Sequence, residues 1–261
     1  MNVFKELYQY RELLKTNVKK EIRGKYKASF LGVLWSFINP LLQTLVYTIV
    51  FSLIPYIMRI QTENYLIFLI CGIIPWTWFT TTITQGTTCI TINSNLIKKV
   101  YFPREILPIS VVTSGLVNFL ISCVIILIFV LLGGCGISWH LVFLPLIALI
   151  QYIISLAIIF LLSAFNVYVK DVEYMVGFII NLLFYATPVL YSTEMFQGSW
   201  MIWLFRLNPM AHLINAYRDI FYVHRIPQIQ NLLLLLIFGI VILVLCYRVF
   251  KKLEKRFAEE I

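Results

Sequence analysis

The ionisable side chains of this sequence stand apart from its hydrocarbon, and that separation limits the chemistry open to it. Residues 64–97 carry no Asp, Glu, Lys or Arg, and neither do residues 106–169. Between these runs lies a charged island, Leu96–Pro108, which sets Lys98, Lys99, Arg104 and Glu105 around Tyr101, Phe102 and Pro103. His140, His212 and His224 fall at the edges of apolar runs or outside them. No stretch fits HExxH, GxSxG, or GxxxxGK followed by Ser or Thr, so neither a zinc hydrolase helix, a nucleophile elbow nor a P-loop is written here. Cys71, Cys89, Cys123, Cys135 and Cys246 are odd in number, scattered and without a CxxC pair. They read as small buried apolar groups, not as a disulfide framework or metal site. What remains is recognition chemistry. The island can dock a partner by complementary charge. Neutral amides and aromatics within the apolar runs, among them Asn39, Gln43, Tyr47, Trp76, Trp78, Asn118, Gln151, Asn181 and Tyr185, suit sugars through CH–π contact and hydrogen bonding. The same side chains also serve interfacial anchoring and helix packing.

The elements that must position these groups are membrane helices. Hydrophobic residues make up 61% of the chain and charged ones 13%, against roughly a quarter charged in soluble domains. Apolar runs near 20 residues long read as transmembrane helices. The sequence predicts an all-α polytopic protein with six spans, near 31–54, 64–88, 108–131, 141–164, 174–190 and 228–247. Residues 1–27 form an amphipathic interfacial helix with a basic collar, and residues 28–261 form the transmembrane domain. In the first segment Val3, Leu7, Tyr10, Leu14, Val18 and Ile22 recur at helical spacing opposite a charged face, as expected of a helix lying on a bilayer. No apolar stretch precedes the first span, so insertion is expected to use that span and not a cleaved leader.

Gly133-Gly134-Cys135-Gly136 breaks the charge-free 106–169 run into two spans, and Asn166–Glu173 makes a second, smaller polar loop. Pro40 and Pro75 interrupt the first two spans, where neighbouring protein must re-satisfy the backbone. The second half of span 2 is hydroxylated from Thr77 to Thr88. Those hydroxyls either back-bond to their own helix or face a polar conduit. Residues 191–227 hold two apolar helical pieces split by Asn208-Pro209, each too short to cross a bilayer and so re-entrant or interfacial. With both termini cytoplasmic, every Lys and Arg except Arg59, Arg206, Arg218 and Arg225 falls on the cytoplasmic side, as the positive-inside bias requires. The net charge of +9 is thus a topology signal, and no soluble basic module that could read nucleic acid is present. The drawn spans contain no Asp, Glu, Lys, Arg or His, which excludes ion coupling through buried charge and acid–base catalysis by such groups at depth.

Several stretches, spread in order over nearly the whole chain, resemble the permease subunit of ABC-2-type polysaccharide exporters, which move O-antigen, teichoic acid and rhamnan-type polymers. They are Tyr26–Pro40, Lys99–Pro108, Asn166–Glu173, Thr187–Ser192, Leu207–Pro209 and Tyr217–Asp219. The resemblance implies a homodimer of this chain in the cytoplasmic membrane, working with two separate ATP-binding-cassette subunits. ATP and Mg would reside on those subunits, and this chain would bind no cofactor or metal and catalyse nothing itself. The substrate would be a polymer on a polyprenyl diphosphate lipid. Lys98, Lys99, Tyr101, Phe102, Pro103, Arg104 and Glu105 would form the ATPase-coupling element. Trp35, Asn39, Gln43, Tyr47, Asn181 and Tyr185 would line the conduit. Trp200, Trp203, Phe205 and Tyr217 would belong to an external gate, and Arg23, Lys25 and Lys27 could meet the lipid diphosphate. Within the same architecture the cargo could instead be a drug or small lipid. A membrane-embedded transferase would need clustered His, Asp or Glu at a membrane face, and a passive channel would work without any ATPase.

Overall fold

The computed structural model describes residues 8–24, 35–52, 64–196, 198 and 200–260. Long apolar runs away from water take up the helix, which satisfies its own backbone within the segment. Seven helices carry most of the described chain: α1 (Arg11–Gly24), α2 (Trp35–Ser52), α3 (Tyr65–Ile92), α4 (Ser94–Lys99), α5 (Ile106–Leu132), α6 (Leu144–Tyr168) and α7 (Val172–Tyr185). The short α8 (Met201–Leu207) and α9 (Pro209–Arg218) follow, then a π turn over Asp219–Val223, the long α10 (Ile229–Leu253), and α11 (Phe257–Glu260). Among the described residues, four segments are long and apolar enough to cross a membrane: Tyr65–Lys99, Ile106–Leu132, Trp139–Tyr168 and Ile229–Arg256. The other two expected spans correspond to α2, with 18 residues, and α7, with 14.

The axis of the bundle is α3. It is apolar all round and buried on nearly every side, as a helix enclosed by others must be. Packed around it are α2, α5, α6, α7 and α9, while α10 packs outside against α6 and α1 lies against α5. Pro75 leaves α3 unbroken, and the buried Gln151 of α6 donates from Nε2 to the Pro75 carbonyl at 3.0 Å. The threonine run resolves toward back-bonding: Thr81 Oγ1 donates to the Thr77 carbonyl, Thr84 to Thr80 and Thr87 to Ile83, at 2.6, 2.9 and 2.9 Å. Close packing of α3 on α6 depends on Gly86, where a Cβ would stand 2.5 Å from the Ile159 side chain.

Boundaries depart from expectation where local chemistry overrides the apolar pattern. The α3 helix runs past residue 88 to Ile92, where Asn93 turns the chain into α4 and donates from Nδ2 to the Cys89 carbonyl at 2.8 Å. The α7 helix stops at Tyr185, five residues short of the expected limit, because Pro188 lacks the N–H a helix would need. The polar loop expected from Asn166 shrinks to the turn after Tyr168, with Asn166 itself buried in α6. The glycine break holds: Gly134 and Gly136 adopt φ of 75° and 76°, open to glycine at no steric cost.

The two ends of the bundle differ in charge. One end gathers α1, α4, the island, the Val169–Asp171 turn and the α10–α11 tail, and with them most of the Lys and Arg of the described residues. The opposite end holds the glycine break, residues 187–196, α8, α9 and the start of α10, with Arg206, Arg218 and Arg225.

Candidate functional site

The charged island is half surface and half core. The α4 helix ends in Lys98 and Lys99, the chain extends through Val100, and α5 restarts at Ile106. Pro103 and Arg104 supply carbonyls to the first amides of α5, from Ile106 and Leu107, each at 3.2 Å. Pro108 falls in that first turn, where a missing N–H costs nothing. Tyr101 is 88% exposed, the most exposed aromatic of the described residues, and Lys98, Lys99 and Val100 are exposed beside it. Phe102 and Glu105 are buried. Within the island only Lys98–Tyr101 forms a continuous exposed stretch.

Beneath this knuckle lies a brace that joins chain segments about 150 residues apart. The Glu105 carboxylate, wholly buried, receives the Lys251 ammonium at 3.0 Å and the Tyr247 hydroxyl at 3.4 Å. Lys251 also meets Glu254 at 2.9 Å. Arg104 donates through Nη1 to the Glu254 carbonyl and lies over the Phe257 ring. Aromatic contacts continue inward, with Phe257 against Phe250 at 5.6 Å and Phe250 against Phe160 at 5.0 Å. Tyr168 donates to the Leu253 carbonyl at 2.9 Å. So the base of α5 is fixed to the ends of α6 and α10. Of the expected docking charges, Lys98 and Lys99 face outward, while Glu105 is committed inside and Arg104 is turned to the tail.

The expected conduit residues share two helices that lean on the same axis. Tyr47 of α2 stacks on Phe184 of α7 at 5.7 Å, and Phe184 meets Trp76 of α3 at 5.8 Å. Trp35, Asn39, Gln43, Asn181 and Tyr185 are all exposed, with Tyr185 at 69%. These two helices thus present polar and aromatic groups together with open apolar faces.

At the opposite end, the four expected gate residues divide. Trp200 and Trp203 are exposed, with Arg206 over the Trp203 ring at 5.2 Å. Phe205 is buried against Tyr191 and Phe196, and Tyr217 is a core residue with no exposure, packed edge-on against Phe119. Asn208 caps α9 by accepting from the Met210 amide at 2.9 Å, and donates to Thr187 Oγ1 at 2.8 Å. That side chain ties α9 to the corner after α7.

Arg218 lies outside the six expected spans, among the expected external cations, and is nonetheless buried in the protein. It is 4% exposed and lies over the Phe68 ring, 3.5 Å from its centroid. Its guanidinium donates to the carbonyls of Pro188 and Val189, each at 2.6 Å, and to Phe68 and Tyr191, each at 3.4 Å. Burial pushes its pKa down to about 9, still charged at neutral pH. Carbonyl dipoles stand in for a counter-ion here, since a buried charge must find polar partners. Asp219 pairs instead with Arg225, at 2.7 Å, and burial raises its carboxyl above the ordinary range against the lowering pull of that arginine. The helical spacing held the clue: Arg218 follows the buried Ala211 and Ile214 by seven and four residues, on the stripe that faces the core. Nothing in the sequence signalled Lys251 as the partner of Glu105. The Arg23 side chain, Lys25 and Lys27 lie outside the described residues.

Comparison with known proteins gives a match over the whole site. Residues 12–222 match the family model described as ABC-2 type transporter. An O-antigen export system permease protein, RfbA, of Myxococcus xanthus is 38% identical over 262 residues, covering all of both chains. Two O-antigen export system permease proteins of Klebsiella pneumoniae are 35% and 34% identical, each covering 95% of this chain and 94% of the relative.

Proposed function

This chain belongs to the ABC-2 type transporter family, and we propose that it is the membrane subunit of an ATP-driven exporter that carries a lipid-linked polysaccharide across the cytoplasmic membrane. The observation that carries this reading is similarity over the full length to relatives named as O-antigen export permeases. In this reading α2 and α7 complete a six-span domain, both termini are cytoplasmic, and the cation-rich end faces the cytoplasm. Two copies assemble through the open faces of α2 and α7, with Trp35, Asn39, Gln43, Tyr47, Asn181 and Tyr185 toward the polymer. Two ATP-binding subunits carry the nucleotide and its Mg. The basic collar of Arg23, Lys25 and Lys27 meets the lipid diphosphate.

The mechanism follows from what the knuckle is joined to. ATP binding does work on a permease only if it favours one of two helix arrangements. A partner closing on Tyr101, with Lys98 and Lys99 as complementary charge, pushes against the base of α5. The Glu105–Lys251 brace passes that displacement to α6 and α10 together, since a buried, paired network resists bending locally. At the far end, Arg218 and Asn208 hold α9 to the Thr187–Tyr191 corner that ends α7, so the gate segment and the conduit helix move as one body.

The test uses cells that depend on this chain for surface polymer. Tyr101→Glu and Lys98→Glu/Lys99→Glu change only exposed groups. Surface polymer should fall to the level of a strain lacking the chain, with unchanged amounts of chain in the membrane. Normal polymer in both variants would remove the coupling role from the knuckle.

A further inference from the structure

The end of the bundle opposite the knuckle contains a chamber of about 730 Å³, within the size range of small-molecule sites. It lies between the first turn of α3, the α9 helix with its π turn, and the start of α10. An apolar fold gains nothing by leaving polar groups unpaired around a space of this size. The side chain of Asn215, half-buried, makes no hydrogen bond to a described residue. Asp219 spends one carboxylate oxygen on Arg225 Nε, which leaves its second oxygen and the Arg225 terminal nitrogens for a ligand. Asn231 donates to Gln228 and keeps its amide oxygen free among the described residues.

The arrangement of charge narrows what would fit. A purely anionic ligand would meet the Asp219 carboxylate, and a cation would meet Arg225 with Arg218 behind it. An apolar ligand would strand the two amides without water. Neighbouring hydroxyls, each of which both donates and accepts, satisfy a carboxylate, an amide and a guanidinium side by side without adding a charge. We propose that this chamber is a saccharide subsite that takes one or two neutral pyranose units. The assignment of those units to the exported polymer rests on the export reading above; the sugar chemistry rests on the chamber. Placed at the joint of α3, α9 and α10, the subsite would hold glycan after it has left the conduit.

The experiment uses the full chain in phosphatidylcholine nanodiscs, free of glycoside detergents, and saturation-transfer NMR with the methyl glycosides of galactose, mannose and rhamnose at millimolar concentration. Transfer to at least one glycoside is expected. Asn215→Leu breaks no internal hydrogen bond to a described residue and should weaken that binding about fivefold, the loss of one ligand hydrogen bond. Asn231→Leu, on a different helix, should do the same, so misfolding of either variant leaves the other to decide. No transfer to any of the three glycosides, or transfer unchanged in both variants, overturns the subsite. If a strain lacking the chain still displays its polymer, the export reading falls while the glycoside result stands. If the strain needs the chain but the glycosides do not bind, only the subsite falls.

Discussion

The brace under the knuckle predicts an asymmetry between its two ionic partners. Glu105 has no exposure, whereas the Lys251 side chain keeps 33% of its own. Replacing Lys251 with Met strands a carboxylate whose remaining partner is the Tyr247 hydroxyl at 3.4 Å. Breaking a buried pair this way costs about 3–5 kcal/mol, and the partial exposure of Lys251 puts the figure near the lower bound. Replacing Glu105 with Gln instead leaves Lys251 its second carboxylate, Glu254 at 2.9 Å. That change weakens one hydrogen bond to Lys251, since the Gln amide oxygen still accepts, while keeping side-chain shape, for about 1 kcal/mol. The double variant should cost less than the sum of the two single changes, because the Glu105 charge is gone and only Glu254 is left without its lysine. Hydrogen exchange at residues 100–107 and 250–257 reads these as local openings. Protection should fall by about 100-fold in Lys251→Met and by about fivefold in Glu105→Gln. Equal loss in the two single variants, or additive loss in the double, would refute the claim that a buried carboxylate holds the knuckle to the tail.

Two further outcomes are expected. Arg218→Lys keeps the charge but cannot reach the Pro188 and Val189 carbonyls together, since an ammonium lacks the planar fork. It should destabilise the chain by about 1–3 kcal/mol in thermal unfolding, and free the 187–191 corner to exchange. Gly86→Val, which drives a branched side chain into Ile159, should cost about 1–3 kcal/mol by overpacking. Pairing it with Ile159→Ala should recover part of that loss, measured by the same unfolding scan.

How much could be read in advance depends on whether the signal was local. The apolar runs announced the long helices because a span is specified by its own composition. The glycine break, the Asn208-Pro209 split and the hydroxyl back-bonding were legible for the same reason: each is settled within one turn of chain. The island was visible as a break in the hydrocarbon, but its division into an exposed Tyr101 and a buried Glu105 was not. That division depends on Lys251, a residue whose charge reads from sequence as one more topology signal. Arg218 misled in the opposite way. Counted by sign it belongs with the exposed loop cations, yet counted by spacing it lies on the buried face of α9. Spacing wins there because the carbonyls freed by the Pro188 corner need donors, and a guanidinium placed on the core stripe supplies several from one side chain. The general lesson for a chain this poor in charge is that each ionisable residue should be placed first by helical phase. Its sign decides the side of the membrane only when that phase leaves it facing water.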